Sequence, residues 1–496
     1  MKKNTTHILH KVNLDINTPE EKTAFEIKSR LDSFLRKELF PKIEKLFDQM
    51  TLDDEIKRFE SIQMDFEMKH ADDIDLLANQ FIAQLKEKLE QVDSEPSNFN
   101  KDWDKIENQH LAHHTPKQYS TYNPNQNAEE IGKRVSHDSN LKNTFIHFLE
   151  TGQLPWYAVP DLLTEFVLPV HFSKALRDNR FVLHLNELFL LNEIALNRFI
   201  YQFDNEIIKL YIKRLMRENK MPFKDITDLI SKQDQTIKKL IYKLLIMRMT
   251  NNHYAESKAF FQQIFKAISV NNSFPIDEEK RYHEIHEIFQ LAFLSPQPEL
   301  TPVENQQSQV SGNELTVNNT DIFKEPSYKQ TDPIYISNAG LVLCHPFLPE
   351  LFRRCGCINE NSFISSERQQ YAVHLLHFLG SGKEHDMEYN LGFEKFLCGL
   401  QQNTPIDRTI ILEDEHKEEC QNVVIAMISN WTALKNTSSD GLRSSFFMRE
   451  GKLDLMKSPV RLYIERQTVD ILLDRLPWNY SLVKIPWLSD ILYVEW

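Results

Sequence analysis

Apolar residues recur along this chain with two alternating spacings, and the changes between them divide it. In HILHKVNLDI, residues Ile8, Val12, Leu14 and Ile16 fall at even spacing, which predicts a half-buried strand. Thr18-Pro19-Glu20-Glu21 then predicts a helix start. Thr18 caps, Pro19 carries a preset φ at the first helical position, and Glu21 closes a capping box. Ile27, Leu31, Phe34, Leu35 and Leu39 follow at helical spacing. Pro41 should kink or split that helix, because it has no backbone N–H to donate. Ile62, Met64, Phe66 and Met68 alternate again, and Ile74, Leu77, Phe81, Leu85 and Leu89 return to one helical stripe. The pattern predicts a β-α-α-β-α unit over residues 1–95.

Residues 96–135 lose the apolar period and read as a polar linker, with His110, His113 and His114 as solvated histidines rather than metal ligands. Residues 136–295 read as a helical domain. The helix in LKNTFIHFLETGQLPWYAVP should stop at Gly152, which supplies a left-handed turn ahead of Pro155. Apolar-rich helical segments follow through FVLHLNELFLLNEIALNRFIYQF, EIIKLYIKRLMREN and TIKKLIYKLLIMRMT to AFFQQIFKAIS. Residues 296–332 form a second, flexible linker by composition. Residues 333–496 carry eight of the chain's eleven glycines and read as a compact C-terminal α+β domain. Within it, ERQQYAVHLLHFLG and TVDILLDRLPW predict helices, and RLYIERQ, SLVKIPW and ILYVEW predict strands. The fold class is therefore α+β and predominantly helical.

The 496-residue length suits about three domains of ~150 residues. The net charge of −14 argues against a general nucleic-acid binder, which needs a basic footprint. No apolar run reaches the ~18 residues of a membrane span, and the N-terminus has no secretory signal pattern. Five cysteines without paired C-x-x-C spacing read as buried, reduced thiols of the cytoplasm.

Candidate chemistry is sparse. FLGSGKEHD has Glu384 where a phosphate-binding loop needs Ser or Thr, so Gly380 and Gly382 read as a helix-terminal turn. His374 and His377 lack the four-residue spacing of a zinc helix. NTSSDGLRSSFFMREGKL places Ser438, Ser439, Asp440, Gly441, Arg443, Arg449 and Glu450 close together without a nucleophile elbow. It reads as a rigid corner, with Phe446 and Phe447 as core anchors and the charged groups locking turns. Asp470 and Asp474 read as a solvated face beside Arg475. No catalytic residue, cofactor site or metal site emerges. Trp478, Trp487 and Trp496 crowd into nineteen residues, and indole rings are enriched at binding hot spots. With Arg443 and Arg449 they are the candidate protein-binding residues, alongside the plain alternative that they fill the core. Trp496, last in the chain, is the foremost surface candidate.

ISNAGLVLCHPFLPELF, AVHLLHFLGSG, EKFLCGL, WTALKNTSSDGLRSSFFMREGKL, DILLDRLPWNYSLVKIPW and LYVEW together resemble the contractile injection system tape measure proteins of phage-tail-like particles such as the antifeeding prophage. The N-terminal unit and FLETGQLPWYAV are also similar. The resemblance implies a non-enzymatic assembly role, with tube, baseplate or cap proteins as partners. The acidic charge and the lack of a long apolar run predict no nucleic-acid partner and no membrane span, and a homo-oligomer is possible. The expected location is the bacterial cytoplasm during assembly, and then the particle. A cytoplasmic adaptor or chaperone loading cargo or tube subunits is the alternative. A fully helical chain would reach about 740 Å, but prolines, linkers and the glycine-bearing tail predict separate helices of only ~30–40 Å.

Overall fold

The computed structural model describes residues 7–10, 12–15, 17–18, 21–50, 55–59, 61–66, 74–93, 132–218, 230, 235–250, 333–434 and 436–496. The polar linkers, the three linker histidines, the Pro19 start and AFFQQIFKAIS lie wholly or mostly outside these residues. Two compact units divide the chain: Met1–Phe145 with Leu154–Phe166, and Ile146–Gln153 with Val167–Trp496.

In the first unit, helix α1 (Glu21–Phe34) and helix α2 (Phe40–Met50) flank a π-helical turn over Leu35–Leu39. The Phe40 N–H reaches back five residues to the Leu35 carbonyl. The α-helical ladder thus breaks just before Pro41, whose ring and missing donor are absorbed by the wider turn. Helix α3 (Ile74–Asp93) packs with α1 and α2 around Ile27, Phe34, Leu39, Ile43, Leu46, Ala78, Leu85 and Leu89.

Strand β1 (Glu55–Phe59) pairs antiparallel with β2 (Gly132–Ser136), placing Ile56 opposite Val135. The described parts of residues 7–16 and 61–66 carry no strand. In residues 61–66 the alternation follows packing without a ladder, with Ile62 and Met64 partly buried against the helical core, whereas Val12 and Leu14 are exposed. Arg58 of β1 lies 3.3 Å from the Tyr157 ring centroid and donates to Asn140 at 2.7 Å.

Helix α4 (His137–Thr151) ends as expected at Gly152, whose φ is +75° and whose N–H bonds the Phe148 carbonyl at 2.8 Å. In the second unit, α6 (Pro169–Ala175), α7 (Asn179–Leu191), α8 (Glu193–Gln202), α9 (Asn205–Glu218) and α10 (Gln235–Thr250) follow; α5 (Pro160–Phe166) belongs to the first. FVLHLNELFLLNEIALNRFIYQF, apolar-rich along its length, is two helices. Asn192 is extended and its side chain accepts from the Ala195 N–H at 3.1 Å, capping α8. Phe172, Phe181, Phe189, Phe199 and Tyr211 fill the space between these helices.

The same unit contains a five-stranded sheet in the order β3-β6-β7-β9-β8. These strands are β3 (Ile334–Ile336), β6 (Gly451–Asp454), β7 (Arg461–Ile464), β9 (Leu492–Glu495) and β8 (Leu482–Val483); a small hairpin joins β4 (Ile358–Asn359) and β5 (Ser362–Phe363). Only β7 and β9 run parallel. Helices α11 (Leu348–Arg354), α12 (Ser366–Ser381), α13 (Gly392–Leu397), α14 (Asp414–Asn430) and α15 (Ser439–Leu442) complete this region, and α12 packs on α14. The fold is thus α+β and predominantly helical.

All five cysteines are buried and free. Burial pushes the Cys355 and Cys357 thiols up to about 12. Thiolate, the reactive form, is therefore scarce. A disulfide-exchange reagent at pH 8 should modify none of the five in the native chain and all five after denaturation. Rapid native labelling of any one would contradict this packing.

Candidate functional site

The stretch from Asn436 to Leu453 is a corner built by its own polar groups. Ser438 caps α15 by accepting from the Gly441 N–H at 3.1 Å, and a π-helical turn over Arg443–Phe447 follows. Phe446 and Phe447 are buried, and Phe446 lies 4.7 Å from the ring of fully buried Trp431. Ala339 and Gly340 run against this turn: a Cβ on Gly340 would stand 1.6 Å from the Phe446 carbonyl oxygen.

The two arginines serve separate elements. Arg443 donates to the Leu379 carbonyl at 3.0 Å, to Asp440 at 3.1 Å and to Gln421 at 3.0 Å, fastening the corner to the end of α12 and to α14. That helix end is the left-handed Gly382 turn, with φ +73°. Arg449, 1% exposed, donates to the Ser445 and Glu465 carbonyls at 2.9 Å and to Asp470 at 2.7 Å. Glu450 is exposed, and its carboxyl is raised by partial burial and by Glu465.

Trp496 is only 6% exposed. Its indole N–H donates to Asp470 at 3.0 Å, and the Arg449 guanidinium lies 5.5 Å from its ring. Trp478 and Trp487 are half-buried, donating to the Leu343 carbonyl at 3.1 Å and the Leu397 carbonyl at 2.8 Å. All three indoles thus tie chain segments together through their N–H groups. Asp470 departs from the solvated face expected of it. Thr468–Arg475 is a 3₁₀-helix, so residues four apart do not share a face. Asp470 turns inward to Arg449 and Trp496, and Asp474 stays exposed.

A second constellation was not visible in the sequence. Arg198, Glu388, Glu394 and Lys395 are each 0% exposed. Glu388 receives Arg198 Nε at 3.0 Å and Lys395 Nζ at 2.6 Å. Arg198 also donates to the Leu149 carbonyl and to the Asn403 carbonyl, the latter at 2.5 Å. Gln202 bridges the Glu388 N–H at 2.8 Å and the Ile406 carbonyl at 2.6 Å. A Cβ on Gly152 would come within 2.4 Å of Glu388 Oε1, so the glycine gives the pair room as well as ending its helix. Burial lowers Lys395 to about 8 despite the neighbouring Glu388, with Arg198 adding to the fall. The available signal was Glu394-Lys395 set between Phe393 and Phe396 in an otherwise apolar turn. Nothing in it names Arg198, 190 positions from Glu388.

His374 and His377 face different partners. His374 is enclosed, with Nε2 2.9 Å from the Asp407 carbonyl and Nδ1 3.3 Å from the Glu384 carbonyl; His377 Nδ1 faces Glu394 at 3.2 Å. Desolvation outweighs those carbonyls and lowers His374 to about 4. The unfolded chain, with histidine near ~6.5, therefore binds more protons between those values. The contribution of His374 is complete above that range and is lost as pH falls toward 4. Urea midpoints should drop from pH 7 to pH 4.5 by more in the parent than in His374→Asn; equal drops would assign the acid sensitivity elsewhere.

Among the described residues no group of histidine, cysteine or carboxylate side chains is arranged to hold a metal ion, and no helix is long and apolar enough to cross a membrane. No curated protein and no solved structure is significantly similar to the chain. The sequence profile described as contractile injection system tape measure protein matches residues 6–496. That match takes in the corner, the tryptophan ties and the buried ion cluster alike, and the chain belongs to the contractile injection system tape measure proteins.

Proposed function

We infer that this chain is a non-catalytic structural component that controls assembly or length of the tube of a contractile injection particle. The family match over residues 6–496 carries the reading. The longest helix among the described residues, α3, has 20 residues and spans ~30 Å. The described helices are short and packed, which favours a folded docking protein over one uninterrupted helical ruler.

In this reading the C-terminal α+β region docks on a tube, baseplate or cap protein. Trp478, Trp487, Trp496, Arg443 and Arg449 contribute by holding the shape of the docking face. Work takes place in the bacterial cytoplasm during assembly, and the chain is retained in the particle.

The test is particle assembly in cells lacking the chain, with complementation. Absent tubes, or tubes of scattered length restored to uniformity by the parent gene, are expected. Mass spectrometry of purified particles should find the chain at fixed copy number. Normal tubes of normal length without it would remove the reading, and its absence from finished particles would favour a loading chaperone. Lengthening residues 296–332 separates the remaining mechanisms: a proportional tube response marks a ruler, and an unchanged tube marks control by docking.

A further inference from the structure

Among the described residues, the five-stranded sheet is covered on one face only. Leu453, Leu462, Leu492 and Val494 turn into the core, and the residues between them turn outward. Sheet positions that face water are ordinarily polar, but several here carry rings. Strand pairing aligns Tyr335, Lys452, Tyr463 and Glu495 in one row, and Arg461, Tyr493 and Leu482 in the next. Tyr335 is 61% exposed, Leu482 51% and Tyr493 36%. Two ammonium groups attend Tyr463: Lys452 lies 4.7 Å and Lys457 5.3 Å from its ring centroid. Lys457 has Asp454 at 3.8 Å, whereas Lys452 is in no ion pair among the described residues. The face is aromatic with a cation to spare, on a chain of net charge −14.

The same unit carries the converse pattern. Helix α14 packs on α11 and α12 and buries Cys420, Val424 and Met427. Its other side presents Glu415, Glu418, Asn422 and Ile425 at helical spacing, all exposed. Glu415 and Glu418 are in no ion pair among the described residues, and Ile425 is 49% exposed. The spacings of the two surfaces agree. Glu415 and Ile425 lie ~15 Å apart along the helix. Lys452 on β6 and Leu482 on β8 are three strand spacings apart, or ~14 Å. A nucleic acid suits the sheet less well. Tyr463 already holds two ammonium groups where a base would stack, and Glu495 stands in the same row.

We propose that the open sheet face of one copy receives helix α14 of a second copy. Glu415 and Glu418 meet Lys452 and Lys457, and Ile425 meets Tyr493 and Leu482. The two surfaces differ, so the contact is head-to-tail, and every added copy leaves one sheet and one helix free. The contact is independent of the role in tube assembly and stands or falls without it.

The experiment is sedimentation velocity of the full chain at constant salt, from micromolar to submillimolar concentration. The parent should self-associate reversibly and beyond a dimer. Lys452→Glu sets like charges across the contact, and Ile425→Asp sets a charge in its apolar part. Each should weaken association by about tenfold or more, in a chain that unfolds in urea like the parent. Mixed one to one, the two variants should form a dimer and stop there. Only the intact α14 of the first and the intact sheet of the second can then meet. A monomeric parent, parent-like association of either variant, or a mixture that stays monomeric overturns the proposal. A monomeric parent whose Lys452→Glu variant fails to enter particles would give the face to a tube, baseplate or cap protein instead. Saturable binding of labelled oligothymidylate, lost in Lys452→Glu, would give it to nucleic acid.

Discussion

Glu388→Gln should destabilise the second unit by about 3–5 kcal/mol, the range for breaking a buried ion pair from one side. The substitution keeps the shape of the side chain and removes only its charge. Arg198 and Lys395, both fully buried, then share no anion between them. Arg198 retains its bonds to the Leu149 and Asn403 carbonyls, and Lys395 its bond to the Gln402 carbonyl at 2.9 Å, but neither carbonyl set neutralises a charge. Urea unfolding followed by a probe in the second unit measures the loss. A change within ~0.5 kcal/mol, as for an ordinary surface site, would show that water reaches the cluster.

The cluster also carries a pH signature of its own. Lys395 titrates at about 8 in the folded chain and near ~10.4 when unfolded. Between those values the unfolded state holds more protons, so stability rises with pH through this window. The gain of the parent over Lys395→Met should therefore grow from pH 8 to pH 10. A flat difference would show that the lysine is not desolvated.

Gly340→Ala should be at least as damaging, because a Cβ there has nowhere to go. The added atom would stand 1.6 Å from the Phe446 carbonyl oxygen and 3.0 Å from the Phe447 Cα, and both are backbone. Relief requires moving either the strand-to-turn passage at Ala339 or the Arg443–Phe447 turn, which Arg443 and Arg449 hold from opposite ends. A loss of ~4 kcal/mol or more is expected, at the upper end of single substitutions. Gly356→Ala is the control. Its φ of +61° strains an alanine, but nothing lies within 4 Å of the new Cβ, so ~1–2 kcal/mol is expected. Soluble expression and thermal unfolding of the two variants should separate them clearly. Equal losses would mean that the Arg443–Phe447 turn moves aside for the new Cβ at little cost.

Local signals in the sequence were sufficient where the controlling interaction is local. The Gly152 and Gly382 helix ends, the helix over Ser366–Ser381 and the strands at Arg461–Ile464 and Leu492–Glu495 follow from nearby residues alone. So does the interruption ahead of Pro41, although not its form as a widened turn. Alternation alone does not make a ladder, as the described parts of residues 7–16 and 61–66 show. A strand needs a partner, and the partner of Glu55–Phe59 is Gly132–Ser136, across a long separation that no period reveals. Asn192 was likewise hidden inside an apolar run, because a single capping side chain does not disturb hydrophobic spacing.

By itself, then, the sequence determined the helical and strand periods, the glycine turns and, through ordered C-terminal motifs, the family. Tertiary structure alone decided which charges go inside. Arg198 looks like a surface residue in its helix, and Trp496 like a free end. Each is buried because a distant backbone carbonyl or carboxylate meets it: Leu149, Glu388 and Asn403 for one, Asp470 for the other. Periodicity reports which face of an element is apolar, whereas the pairing of a buried polar group depends on what folding brings opposite it.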